Sequence, residues 1–305
     1  MLCGMTSNTG TPRSSHAGSP KAKQFGKAIR EARGDEPSLR AVAKELNIDP
    51  SRLSKIETGK VVPKPDLARK ILKHVGVPDE QAEELMKMLE GAETEQPWHA
   101  NTLLEQRQHL AAIVDFEDVA ETIVSCTLGG IPGLLQPKRY AHAVMSGGMK
   151  PLPPSEVNIR VMTRMGRQGV LSLERARPAR LVALIHQTAI EQNVGGPEVT
   201  VEMLEYLLKM MKRRNLEIRI VPDGVGWHEG LEGSFTLIEP RADADLYPVV
   251  FLEYRTSGLI LHADEDVAAY RDAVESVQRL AMDASGTEAA ITRAINEMRN
   301  PDERT

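Results

Sequence analysis

The sequence predicts two folded parts of different class: a mostly α N-terminal bundle, and a larger C-terminal α+β domain whose sheet is mainly antiparallel. Three observations carry this. Between residues 21 and 91, apolar residues recur at helical spacing in short segments separated by Gly and Pro. Beyond residue 103, long amphipathic stretches are mixed with alternating or continuous apolar runs such as Leu216–Pro222, the pattern of helices set against strands. The charge breaks at about the same place. Residues 1–75 hold fifteen Lys/Arg against seven Asp/Glu, a balance of +8, whereas the whole chain carries −5, which leaves −13 for the rest. A basic module joined to an acidic body suggests a polyanion partner for the first part only.

A chain of 305 residues is long enough for two domains with buried cores. With aromatics at only 4%, aliphatic side chains and the 13 methionines must fill those cores. Cys3 and Cys126 are the only cysteines, too few for a disulfide framework or a Cys-based zinc site, so a reducing cytoplasm is expected. The apolar window Thr122–Pro137 is broken by Gly129, Gly130, Pro132 and Gly133 and is too short to span a bilayer. No membrane association and no export signal are expected.

Taken in order, residues 1–20 are rich in Ser, Thr, Gly and Pro and read as a disordered tail. Phe25, Ala28, Ile29 and Ala32 give a first helix that stops at Gly34 and Pro37. Ser38 sits where an N-cap belongs, ahead of a second helix with Leu39, Val42, Ala43 and Leu46 on one face. Asn47 follows where a tight turn needs a left-handed residue. Asp49 is the next N-cap, with Pro50 at the first helical position. In that third helix Leu53 and Ile56 point to the core, so Ser51, Arg52 and Lys55 fall on the outside. After Gly59, Leu67, Ile71, Leu72 and Val75 supply a further helix, and Asp79–Ala92 a last one.

The run A-x-x-L-N-I-D-P-S-x-L-S-K-I-E-T-G resembles the helix-turn-helix of Xre-type and phage-repressor domains over about Phe25–Val77. Leu39 stands where many members carry Gln and is left out of the DNA readers. The third helix then has the shape of a recognition helix. Ser51, Arg52 and Lys55 are assigned to base edges, since Arg or Lys can donate to guanine O6/N7 and Ser to a nearby acceptor. Ser38, Thr58, Lys60 and Lys64 are assigned to phosphates, with Lys21, Lys23 and Lys27 reaching from the other side and the helix termini offering backbone amides. Arg33 and Glu57 take the positions of a structural ion pair in similar domains. One recognition helix reads only a half-site, so double-stranded DNA and a second copy of the chain, as a homodimer, are the expected partners.

Residues 92–102 read as a linker, with Trp98 as a packing anchor. The second domain is expected over 103–285, and 286–305 as a terminal helix and charged tail. Its candidate strands are Leu181–His186, Leu216–Pro222, Ser234–Pro240, Tyr247–Tyr254 and a short one at Gly258–Ala263. Its clearest helices lie over 200–211 and 267–282. Their apolar stripes read as core, yet they are also the only long stripes on offer for a dimer seam. Arg160, Arg164 and Arg167 share one helical face, read as solvated, with an acidic partner or an anionic small molecule as the alternative.

Other motifs carry no chemistry. Gly224 and Gly226 do not complete G-x-G-x-x-G, and their loop reads as a connection between strands. His228 beside Glu229, and His262 near Asp264, lie outside any metal motif and read as solvated or hydrogen-bonded loop residues. Ser234 lacks a nucleophile elbow. No catalytic residue, cofactor or metal is expected.

Five short motifs, Ile131–Ala141, Val194–Val199, Ile220–Pro222, Gly233–Phe235 and Val250–Glu253, resemble the domain of unknown function that follows an Xre-type helix-turn-helix in actinobacterial regulators of the WhiJ-like or antitoxin-like group. That resemblance spans about Leu103–Ser285. It implies a transcription regulator of development or specialised metabolism, often acting with a small partner protein encoded nearby, and it implies no known ligand. Together with the half-site argument, the expectation is a cytoplasmic, nucleoid-associated regulator whose second domain pairs subunits and receives a protein or small-molecule signal. The alternative is a DNA-binding antitoxin that neutralises such a small protein.

Overall fold

The computed structural model describes residues 19–89, 92, 98–100, 103–147, 152–244, 246–253 and 258–300. The chain divides into two compact units between Thr94 and Glu95. The tail expected over 1–20 lies outside the described residues up to position 18, as do most of the expected linker and positions 301–305.

The first unit is built from α1 (Pro20–Arg33), α2 (Leu39–Glu45), α3 (Pro50–Glu57), α4 (Pro65–His74) and α5 (Asp79–Leu89). Proline opens α1, α3 and α4, where its missing N–H costs no hydrogen bond. Phe25, Ile29, Leu53, Ile56, Ile71, Leu72 and Leu85 make the core. Helix α1 can lie against α3 because Gly26 has no side chain. A Cβ there would stand 2.3 Å from the Ile56 carbonyl oxygen.

The second unit is α+β around a seven-stranded sheet of order β1-β7-β6-β5-β2-β3-β4. Along the chain run β1 (Trp98–Ala100), α6 (Leu103–Asp118), β2 (Ala120–Thr127), α7 (Lys138–Ser146), α8 (Pro154–Arg167), β3 (Arg180–His186), α9 (Gln187–Glu191) and α10 (Pro197–Met210). They are followed by β4 (Leu216–Val221), β5 (Phe235–Pro240), β6 (Val249–Glu253), β7 (Gly258–Leu261), α11 (Asp264–Leu280) and α12 (Ala284–Arg299). Pairings along β1-β7-β6-β5-β2 are antiparallel, and β2-β3-β4 are parallel. The parallel pairs follow from their connections, since helices carry the chain back between β2, β3 and β4. Strand β3 lies inside this set and is buried from Leu181 to Ile185, as its continuous apolar run requires, whereas edge strand β4 alternates.

Helix α11 closes one face of the sheet, its Val267, Val274 and Val277 packing with Val124, Leu184, Phe235, Leu237 and Val250. The open edge of β4 is covered by the chain around α12. The Met282 amide donates to the Ile220 carbonyl at 2.8 Å, and the Ile220 amide donates to Thr287 Oγ1 at 3.1 Å. Ile291, Ala294, Ile295 and Met298 of α12 are buried, so the second unit does not end at 285 and α12 belongs to its core.

Several expectations change. The buried face of α10 is Met203, Leu204, Leu207 and Met210, whereas Val201 and Leu208, with Met211 at its C-terminal cap, are only half-buried; on α11 Val267, Val274 and Val277 are buried in the core. The arginine face of α8 is not a solvated one. Arg167 makes a bidentate pair with buried Glu117 at 2.9 and 2.7 Å, and Arg164 donates to Gln136 Oε1 at 2.7 Å. Arg160 alone stays outside, paired with Glu156. Helical spacing fixes which residues share a face but not which neighbours cover it. His228 is neither solvated nor hydrogen-bonded: it is 3% exposed, and neither ring nitrogen has a hydrogen-bond partner among the described residues. Its ring centroid lies 6.2 Å from that of His186, and its pKa is pushed down by burial first and by His186 second, with Glu229 opposing. Among the described residues no cluster of His, Cys, Asp and Glu could hold a metal ion, and no helix is long and apolar enough to cross a membrane.

Candidate nucleic-acid interface

Helix α3 is fixed at both ends and along its inner face. At its start the Asp49 carboxylate accepts the amides of Ser51 at 2.7 Å and Arg52 at 3.3 Å. The Ser51 hydroxyl and amide, and then the Arg52 amide and Lys55, hold the Asp49 pKa below the usual carboxylate range. Leu53 and Ile56 have no exposed surface. At its end the loop folds back, with the Lys60 amide donating to the Lys55 carbonyl at 2.8 Å and Gly59 at φ 72°. Only glycine fits well there, because a Cβ would also stand 2.6 Å from the Lys23 backbone of α1.

The turn before α3 has its left-handed residue in Asn47, at φ 51°. Its neighbours α2 and α3 cross over Ala43, which is fully buried. Helix α2 starts on Ser38, whose Oγ accepts the Ala41 amide at 3.3 Å. The orientation of α3 against α1 is held by an ion pair. Arg33 Nε donates to Glu57 Oε1 at 2.8 Å and its terminal nitrogen to Oε2 at 3.1 Å, which raises the guanidinium pKa. The side chains are 12% and 3% exposed.

With the inner face locked, the outward residues of α3 are Ser51, Arg52, Ser54 and Lys55, all exposed. Ser54, one turn on from Ser51, belongs to the same surface and is missing from the set chosen from sequence. Its signal was the spacing itself. Lys60 and Lys64 are exposed just beyond α3, and Arg40 and Lys44 on α2 add to the same basic unit.

Two expected phosphate donors change character. The amides of Ser51 and Arg52 are taken by Asp49, so this helix terminus is closed by its own carboxylate and does not offer them to a phosphate. Thr58 donates its hydroxyl to the Ser54 carbonyl at 2.9 Å, with the Lys55 carbonyl at 3.2 Å, so its proton is committed inside the helix end. Ser38 is different: its oxygen serves as an acceptor, and its own O–H can still donate.

Comparison with known families matches residues 24–85 to a helix-turn-helix domain, and residues 110–293, more than half of the chain, to the domain of unknown function DUF5753. No curated protein and no solved structure matches the chain. The chain belongs to the DUF5753 family.

Proposed function

We propose that this DUF5753 family member is a sequence-specific DNA-binding transcription regulator of the Xre type, in the actinobacterial WhiJ-like or antitoxin-like group. It acts as a homodimer on a two-fold operator. The reading rests on α3, whose apolar face is sealed while Ser51, Arg52 and Lys55 stand outward on a capped, ion-paired helix. Such a helix places its N-terminal half against base edges, and each good bidentate base contact discriminates by about 1–3 kcal/mol. Ser38, Lys60 and Lys64 grip phosphates beside it. The second unit pairs subunits and receives the signal; a shift in the spacing of two recognition helices then releases one half-site. No observation on that unit favours the antitoxin alternative.

Selection from a random duplex library tests this directly. The wild-type chain should enrich a two-fold motif, and the Arg52→Ala/Lys55→Ala double variant should lose it while keeping its helix content. Enrichment of the same motif by the double variant would refute the assignment of α3. Lys60→Ala should instead weaken all duplexes alike and lower the salt slope by about one.

A further inference from the structure

The chain between β4 and β5, residues 222–233, forms a strap that lies against α11. Its base is tied down. Asp223 Oδ1 stands 3.3 Å from His186 Nδ1 at the end of β3, and Thr188 Oγ1 donates to the same oxygen at 3.3 Å. Its far end is held by Ser234, whose Oγ accepts the Leu128 amide at 3.0 Å. Between these anchors the backbone takes left-handed conformations at Gly224 (φ 75°), Gly226 (φ 89°) and Gly233 (φ 146°), and a Cβ at any of the three would meet nothing within 4 Å. These glycines serve the path of the chain, not close packing, and leave it room to swing.

The middle of the strap is held by two residues. The Glu229 carboxylate accepts a hydrogen bond from Ser276 of α11. His228 is buried beside it. A Cβ on Gly230 would stand 3.0 Å from the imidazole Nδ1 and 3.2 Å from Val277 Cγ2, so ring and helix meet at that glycine. The imidazole works there as an apolar plug, since neither ring nitrogen has a hydrogen-bond partner among the described residues. Such burial costs free energy for a neutral ring and far more for a charged one.

We propose that His228 is a proton-operated latch: when its imidazole takes a proton, the strap between Gly224 and Gly233 swings away from α11 while the rest of the second unit stays folded. The groups facing the ring set the sign. From β3, His186 lies 6.2 Å away between ring centroids and, once charged, repels a second proton. From the strap itself, Glu229 opposes this, but its carboxylate is engaged with Ser276 and makes no hydrogen bond to the ring. From α11, Val277 brings no charge, and Arg279 acts on Glu229. The contrast with His186 is geometric. A proton on His186 Nδ1 is met by Asp223, so acid leaves the base of the strap tied while it loosens the middle. Opening uncovers Val277 and adds it to Trp227 and Leu231 of the strap, already 70% and 39% exposed. The latch does not depend on the DNA-binding reading.

Hydrogen exchange of the full chain, read by mass spectrometry in steps from pH 7.5 to 5.0 and corrected for the intrinsic pH dependence of amide exchange, tests it. Peptides over 227–233 report the strap, where the Leu231 and Glu232 amides donate to the His228 and Glu229 carbonyls. Peptides over β3 and α12 report the rest of the unit. Strap protection should begin to fall near pH 6.5, the ordinary histidine value, and drop at least about threefold by pH 5.0. Its ceiling is about thirtyfold, the proton-binding advantage of a free imidazole at that pH. Protection in β3 and α12 should hold. His228→Leu, which fills the space without a titrating group, should show no such fall. Strap protection that stays constant to pH 5.0 would overturn the latch. So would an equal loss over strap, β3 and α12, which is one cooperative unfolding, or an undiminished loss in His228→Leu. The wild-type curve decides even where that variant fails to fold, because a loss that sets in only below pH 5.0 belongs to carboxylates and sinks the proposal.

Discussion

Replacing Arg33 by Met should loosen the recognition helix without touching its outer face. The guanidinium makes two hydrogen bonds to a Glu57 carboxylate only 3% exposed, so its removal strands a buried negative charge. Breaking one side of such a pair costs about 3–5 kcal/mol. Arg30 is the nearest substitute, its Nε 4.0 Å from Glu57 Oε2 and its side chain 57% exposed, and a contact of that kind returns at most about 1 kcal/mol. The two bonds from Arg33 to the Gly34 and Pro37 carbonyls add little, because both residues are exposed and water replaces the donor. The expected loss is therefore about 3 kcal/mol, which is roughly a hundredfold in the opening equilibrium. Amide hydrogen exchange of the full chain, read over α1 and α3, measures this without assuming that the whole chain unfolds in one step. Arg33→Met/Glu57→Leu should recover most of the protection, since an apolar pair leaves no stranded charge. Exchange in α3 that rises less than about threefold in Arg33→Met, or a double variant worse than the single, would refute the reasoning.

Gly26→Ala should destabilise the first unit by about 2–3 kcal/mol, because the added carbon must displace backbone atoms of α3 that no side-chain rotation can move. Thermal melting and duplex affinity should fall together; an unchanged melting curve would show that α1 and α3 can part at no cost. For His228 the sign follows from a folded pKa held below its unfolded value of about 6.5 by burial and His186. Its contribution is complete above pH 6.5 and is lost as pH falls below that value toward the folded pKa, where the unfolded chain takes a proton that the folded chain refuses. His228→Leu should flatten that acid limb of the stability curve of the second unit. A limb of unchanged slope would place the proton uptake on another group.

Much of the first unit was legible because its signals are local. Ser38 and Asp49 as caps, Asn47 in the turn, and Leu53 and Ile56 on one face each depend on a few neighbouring residues, and local geometry decides them. The set Ser51, Arg52 and Lys55 followed by subtraction. Thr58 escaped such reasoning because its hydroxyl has two uses, and only the helix end in three dimensions shows that the Ser54 carbonyl takes its proton.

In the second unit, alternation, continuous apolar runs and amphipathic spacing marked β3 to β7, α10 and α11, since these register on the chain itself. They missed β1 and β2: Trp98–Ala100 lies in the expected linker, and Ala120–Thr127 carries its apolar residues at mixed spacing, with no alternation to distinguish strand from helix. Sequence could not say that β2, β3 and β4 run parallel, because pairing is a relation between segments far apart. It could not say that Glu117 waits inside for Arg167, fifty residues on. It could not say which apolar stripe remains uncovered. The apolar residues of α10, α11 and α8 look alike along the chain; only tertiary packing, by burying Met203, Leu204 and Leu207 of α10 and Val267, Val274 and Val277 of α11 while leaving Ile159 and Met162 of α8 in solvent, separates core from surface.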